Sequence, residues 1–213
     1  PENASLVGQD GGFNAGGVAF IDNDTLAVTN FGTNFGAAEL RTYDVSDPTS
    51  PTVIDTLSIG SQPVQVQLSF SGDFVYVGEF AGELYIVDVT DPSSLSQVKS
   101  LSPTRPAARV SFQATSDYFY LFEKSGAVSV YDNSTESDPT LDYRYEFGGD
   151  IAGPLVDNGI AYIGDNNSSE LIALKLNTHY NTAAPLTSAN ILDVFKLRTD
   201  AAPANSGDPG EDG

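Results

Sequence analysis

The chain has no cysteine, no methionine and no tryptophan, and a single histidine in 213 residues. Without thiols it forms no disulfide and builds no thiolate metal site. The lone histidine, His179, stands in a polar stretch beside Tyr180 and Asn181 and reads as a solvated loop residue. Zinc hydrolysis and thiol or histidine-dependent nucleophilic catalysis therefore lack their usual groups. Basic residues are scarce, 9 against 29 acidic, for a net charge of −20. Such a surface repels nucleic acid and anionic lipid, so neither is expected as a partner. No run approaches the ~20 apolar residues of a membrane span. Helical periodicity is missing too: no window sustains apolar residues at i, i+3, i+4 and i+7. A chain that starts at Pro1 and has no methionine is expected to be a processed product or a piece of something longer.

What the sequence does have is a repeat. Tyr43-Asp44, Val87-Asp88 and Tyr131-Asp132 carry the same punctuation, spaced 88−44 = 44 and 132−88 = 44 residues. A period of about 40–45 residues with several short strands per unit marks a β-propeller or a related array. The clearest unit runs from Gln62 to Leu101. Val64–Phe70 alternates apolar and polar residues, the period of a half-buried strand. Phe74–Phe80 is rich in β-branched and aromatic residues, and Leu84–Val89 forms a third strand. A loop with Pro92 interrupts pairing before the more polar strand Gln97–Leu101. Four antiparallel strands make one blade. The order recurs in three further units, giving an all-β chain of four visible blades over residues 13–60, 61–103, 104–148 and 149–198. Turns at Asp22-Asn23-Asp24, Ser71-Gly72-Asp73, Thr115-Ser116-Asp117 and Asp157-Asn158-Gly159 support one register, because these residues tolerate hairpin backbone angles. Residues 1–12 form a lead-in in which Ser5-Leu6-Val7 could supply a strand. Residues 199–213 have the Pro/Gly/Asp composition of a tail or linker. The four units are read either as a compact ring or as part of a larger one.

The second unit resembles the LVIVD repeat, through Val75-Tyr76-Val77-Gly78 and Gly82-Glu83-Leu84-Tyr85-Ile86-Val87-Asp88-Val89-Thr90-Asp91-Pro92. The first matches through Leu40 to Pro48 and Pro51-Thr52-Val53. The third keeps Val130-Tyr131-Asp132 and Asp138-Pro139. The resemblance implies a propeller on the cell exterior, often one module of a larger protein. It names no activity, because the shared residues serve strands and turns.

Candidate chemistry is thin. Asp44, Asp88 and Asp132 recur once per blade and are expected to accept hydrogen bonds from the turns that follow them. Asp22-Asn23-Asp24 and Asp165-Asn166-Asn167 have oxygen-ligand composition but lack the spacing of a calcium loop. No cofactor or metal is expected, with weak loop calcium left open. Arg105 and Arg109 bracket the start of the third unit's first strand. Gln62, Gln65, Asn14 and Asp150 hold similar positions elsewhere. Arg105, Arg109, Gln62 and Gln65 are therefore candidates for a small anionic or polar ligand at the axial channel. Asn23, Asn133, Asn166 and Asn167 begin N-glycosylation patterns in predicted loops. The leading expectation is a non-enzymatic extracellular or cell-surface module for recognition, adhesion or surface assembly. It would bind a protein, a glycan or neighbouring copies, and its acidity fits a marine or high-salt source. One alternative is a polysaccharide-acting hydrolase or lyase with acids at the axis. The other is a fragment of a larger surface protein without activity of its own.

Overall fold

The computed structural model describes residues 14–31, 38–80, 82–102, 110–115, 117–123, 126–146, 148, 150–157, 159–165, 170–176 and 191–196. All regular structure among them is β, in sixteen strands. The first sheet is β1 (Ala15–Phe20), β2 (Thr25–Asn30), β3 (Glu39–Asp44) and β4 (Thr52–Ser58). The second is β5 (Pro63–Leu68), β6 (Phe74–Glu79), β7 (Leu84–Asp88) and β8 (Ser96–Leu101). The third is β9 (Val110–Ala114), β10 (Tyr118–Glu123), β11 (Ala127–Asp132) and β12 (Thr140–Glu146). The fourth is β13 (Ile151–Asp157), β14 (Ile160–Asp165), β15 (Glu170–Lys175) and β16 (Ile191–Lys196). Each sheet is an antiparallel meander in chain order, as the repeat predicts. Ser5-Leu6-Val7, Ser116, Asn158 and the stretch around His179 lie outside the described residues.

Burial explains the sequence pattern strand by strand. The second strands β6 and β10 read as near-continuous apolar runs because both of their faces are covered. In β6 and β10 every residue but the first is buried. The fourth strands β4 and β8 are mostly exposed, β12 is exposed to half-buried, and all three carry polar residues. The first strands lie side by side, β1 on β5, β5 on β9 and β9 on β13. No comparable packing joins the fourth sheet back to the first among the described residues. Among the described residues the sheets are not closed into a ring.

Stability resides between sheets. One core joins Ala27, Leu40 and Ile59 to Val66, Val75, Val77 and Val87. A second joins Tyr76, Leu84 and Ile86 to Phe112, Phe119 and Leu121. A third joins Tyr120, Phe122 and Val130 to Val156, Ile163 and Leu174. In the second, the Phe119 ring lies 5.1 Å from Tyr76 and 5.4 Å from Phe112, centroid to centroid. Burying each such side chain contributes about 1.5–3 kcal/mol.

Polar clasps fix how adjacent sheets sit. The Gln67 amide donates to Ala114 O and accepts from Ala114 N, both at 3.2 Å. Gln113 does the same to Val156, at 2.8 and 2.7 Å. One side-chain amide thus satisfies both backbone groups of a residue in the next sheet's first strand. The joint between the first two sheets works differently. A Cβ on Gly16 would lie 2.5 Å from Pro63 O, and one on Gly17 would lie 2.8 Å from Val66 N. The backbones themselves touch there, so no clasp is needed and no side chain is tolerated.

Alternating strand direction gives the assembly two faces. One, the turn face, holds the hairpins from first to second and from third to fourth strand. The other, the link face, holds the second-to-third hairpins and the connections between sheets.

Candidate functional site

The turn face is organised by aspartates that serve their own loops. Asp44, Asp88 and Asp132 accept from the backbone N–H two residues on, at Ser46 (2.9 Å), Thr90 (2.9 Å) and Ser134 (2.8 Å). Asp47 and Asp91 do likewise with Thr49 and Ser93. Hydrogen bonds from Ser46, Thr49 and Ser93 hold Asp44, Asp47 and Asp91 below the ordinary aspartate value, and those from Ser134 do so for Asp132. Asp22 accepts from Asp24 N at 2.8 Å, which makes that loop an ordinary Asx turn. Among the described residues no group of three or more His, Asp or Glu is placed to hold a metal.

The link face carries the chemistry that sequence reasoning missed. The last residue of each second strand is polar: Asn30, Glu79, Glu123 and Asp165. Three of them accept a backbone N–H from the chain entering their own sheet. Asn14 N donates to Asn30 Oδ1 at 3.0 Å, Gln62 N to Glu79 Oε1 at 3.0 Å, and Asp150 N to Asp165 Oδ1 at 3.2 Å. Asn14, Gln62 and Asp150 thus hold matching places, as their spacing predicts, but it is the backbone that uses them. A simple signal would have found two of the acceptors. Glu79 and Glu123 are 123−79 = 44 residues apart, the same interval as the aspartates.

Glu79 is buried and wrapped. Ser61 N and Oγ also donate to Oε1, and Tyr85 donates to Oε2 at 3.2 Å. Burial pushes its carboxyl upward, but the Ser61, Gln62 and Tyr85 hydrogen bonds win and leave it below the ordinary glutamate value. The wrap depends on Gly60. It has φ +54°, and a Cβ there would lie 2.9 Å from the Glu79 carboxyl and from the Tyr85 ring. Tyr85 also donates to Glu83. Burial first, then the two glutamates, drives its hydroxyl well above the ordinary tyrosine value.

Glu123 is fully buried and meets a cation instead. Arg144 Nε and Nη2 reach its two oxygens at 3.0 and 2.8 Å, a bidentate fork. Arg144 also pairs with Glu146 at the surface. The Glu123 hydrogen bonds raise the guanidinium above its ordinary value, against burial, with Glu146 adding to the effect. In the first sheet, Arg41 pairs with Glu39 at 2.7 Å, and Asn30 lies 3.5 Å from the same carboxylate.

The structure gives two of the expected site residues a place within the fold. The Gln65 amide donates to Phe112 O at 3.0 Å and accepts from Phe112 N at 3.4 Å, so it serves as another inter-sheet clasp. Asn133 is fully buried, its Nδ2 donates to Thr115 O at 2.9 Å, and its Oδ1 accepts from Tyr76 OH at 3.1 Å. Gln62 is half-buried on the link face, and Asn23 is exposed on the turn face. Arg105, Arg109, Asn166 and Asn167 lie outside the described residues.

The repeat geometry can now be set beside known proteins. Residues 66–102 match the profile of the LVIVD repeat. The chain carries an LVIVD repeat. The matched stretch is β6 to β8 with the end of β5, so the LVIVD unit coincides with the blade whose punctuation is clearest. Comparison with curated protein sequences finds no match. Solved structures share the fold. A protein from Lactobacillus plantarum superposes with a TM-score of 0.65 at 12% identity, over 87% of this chain and 59% of that one. A periplasmic gluconolactonase from Pseudomonas aeruginosa gives 0.68 at 10%, over 86% and 54%. A candidate 6-phosphogluconolactonase from Bacteroides uniformis gives 0.65 at 14%, over 86% and 56%. The chain thus spans little more than half the length of each. At these identities the likeness establishes architecture alone. Among the described residues no helix is long and apolar enough to cross a membrane.

Proposed function

We propose that this chain is a recognition module of the cell exterior, binding a protein or glycan at the link face without catalysing a reaction. One observation carries the reading. Glu79 and Glu123, the buried acids of that face, are held by partners within the fold: a backbone wrap with Tyr85 in one case, an arginine fork in the other. Acids anchored in this way brace the link loops. A glycosidase needs two carboxyls free to exchange protons with substrate across a gap of about 5–10 Å. The rim of that face is polar, with Glu39 and Glu146 paired to Arg41 and Arg144 and Glu83 half-buried, which suits a sugar or a polar protein surface. The exterior address draws support from the LVIVD repeat and the net charge of −20.

A second reading, hydrolysis of a sugar lactone, is favoured by two of the structural neighbours, which are described as a gluconolactonase and a candidate 6-phosphogluconolactonase. The two are separated by screening the purified chain on a glycan array while following gluconolactone hydrolysis by proton release. Saturable binding with no protein-dependent hydrolysis is the expected result. Hydrolysis that scales with protein and disappears on substitution of link-face acids would overturn the recognition reading.

A further inference from the structure

One side chain on the turn face breaks the pattern of its repeat. The hairpin from β5 to β6 closes where Ser69 N donates to Phe74 O at 2.8 Å, and the matching bonds run from Ile21 N to Thr25 O and from Thr115 N to Tyr118 O. The span is 74−69 = 5 residues here, against 25−21 = 4 and 118−115 = 3, so this hairpin is the longest of the three. The residue after the donor is Phe70. In the other sheets the sequence puts Asp22, Ser116 and Asn158 at this place. Three repeats thus use a polar turn former and one uses phenylalanine. Phe70 is 77% exposed, the most exposed large apolar side chain among the described residues. Its exposure is held in place. Ser71 N donates to Glu136 Oε1 at 3.1 Å, and Ser71 Oγ donates to the same carboxylate, which ties the tip to the third sheet. Within the hairpin, Asp73 N donates to Ser71 Oγ at 3.1 Å, Phe74 N donates to Ser69 Oγ at 3.2 Å, and Gly72 turns the chain at φ +88°. A tip fixed before contact spares a partner the cost of ordering it.

We propose that Phe70 anchors a second docking surface, on the turn face, and that its partner is a basic protein with an apolar socket rimmed by lysine or arginine. Charge selects this occupant. Asp22, Asp24, Asp47, Asp73, Asp91 and Asp132 are exposed on this face. Asp22, Asp47, Asp91 and Asp132 accept from N–H groups of their own turns, which leave the carboxylate charge uncancelled. Among the described residues the one ion pair here is Lys99 with Asp138. The link face differs, because its Glu39, Glu123 and Glu146 meet Arg41 and Arg144. Nucleic acid and anionic lipid are repelled from such an acidic face. A second copy of the chain brings a further charge of −20. Residues 1–13 and 199–213 hold six acids and no base, so they do not neutralise the face either. A basic protein gains from the acids in encounter and orientation. The phenylalanine supplies the contact that fixes the pose, since an aromatic anchor in a desolvated pocket carries much of an interface's binding energy.

The chain has no tryptophan, so Phe70→Trp places the sole indole at the tip. The probe is a synthetic amphipathic helix of lysine and leucine. Titrated with it in 0.1 M salt, the indole emission should shift to the blue and saturate, and the affinity should fall in 1 M salt, where the screening length shrinks from about 10 to about 3 Å. A lysine and serine peptide of equal charge should give no saturable shift, and neither should a helix of glutamate and leucine. With the label moved to the lysine and leucine helix, Phe70→Ser should bind at least about tenfold more weakly than the parent. Its β circular dichroism should match the parent's, because the side chain is exposed. Phe20→Ser removes another exposed phenylalanine, on the first sheet, and should bind as the parent does. An indole that does not respond to the lysine and leucine helix overturns the proposal. So does Phe70→Ser binding as tightly as the parent, or a loss that Phe20→Ser reproduces. An equal shift with the glutamate helix overturns the choice of a basic partner. The signal comes from residue 70 on the turn face, so its failure leaves the link-face reading standing, and a failed glycan screen leaves this one standing.

Discussion

The two faces of the sheet assembly use carboxylates in opposite ways. On the turn face, aspartates are exposed, and each bonds a backbone N–H two residues away. On the link face, Glu79 and Glu123 are buried and reach groups as far as 17 and 21 residues away. An exposed local bond loses little when it breaks, because water replaces the partner at once. A buried charge has no such substitute and depends on its partner. The comparison teaches that the recurrent, visible acids hold local turns, whereas the buried acids of the other face tie distant strands and entry segments of their own sheet together.

Removing the fork should break this contrast most sharply. Arg144→Ala leaves Glu123 buried and uncompensated, and is expected to cost about 3–5 kcal/mol in urea unfolding. Restoring neutrality with Glu123→Gln in the same chain should recover part of that loss. Gly60→Ala comes next. It forces a side chain into positive φ and against the Glu79 carboxyl, for an expected loss of about 1–3 kcal/mol by the same measurement. Gln113→Ala removes a two-bond clasp and leaves Val156 N and O without it. About 1–3 kcal/mol is expected, with a looser joint between third and fourth sheets visible as faster amide exchange in β13.

The pH dependence sharpens the same comparison. Glu79 and Asp44, Asp47, Asp91 and Asp132 are held below their ordinary values in the fold. The folded state therefore binds fewer protons than the unfolded chain as pH falls. Their contribution is complete above the unfolded carboxyl values, about pH 4 to 4.5, and is lost as pH drops through the lower folded ones. Thermal melts in 1 M salt, where self-repulsion is screened, should be flat from pH 7 to 5 and fall below that. Glu79→Gln should start lower and fall less steeply. Asp132→Ala, on the exposed turn face, should give the smallest change of the series.

Much of this was legible in the chain. The 44-residue interval, the turn residues and the strand patterns fix four meanders and the role of Asp44, Asp88 and Asp132, because those features depend only on near neighbours. The clasp made by Gln65 was not legible because its partner, Phe112, lies 47 residues on, and a polar residue on an inner strand looks the same whatever it meets. The burial of Asn133 was not legible because a loop position in sequence is no guide to burial once Tyr76 of the preceding sheet reaches it. The same position can even reverse its charge. Asp55 accepts from Leu95 N at 2.8 Å, while Lys99, 99−55 = 44 residues on, donates to Pro139 O at 3.0 Å, because proline offers no N–H.

The sequence by itself determined which segments become strands, how they pair into sheets and which loops turn on an aspartate, since hydrophobic alternation and turn chemistry act over a few residues. Only the tertiary structure decided which acids are buried, which amides clasp a neighbouring sheet and which apolar positions are left uncovered. Those outcomes depend on side chains from separate repeats meeting across an interface, and no local pattern records whether the next sheet is there.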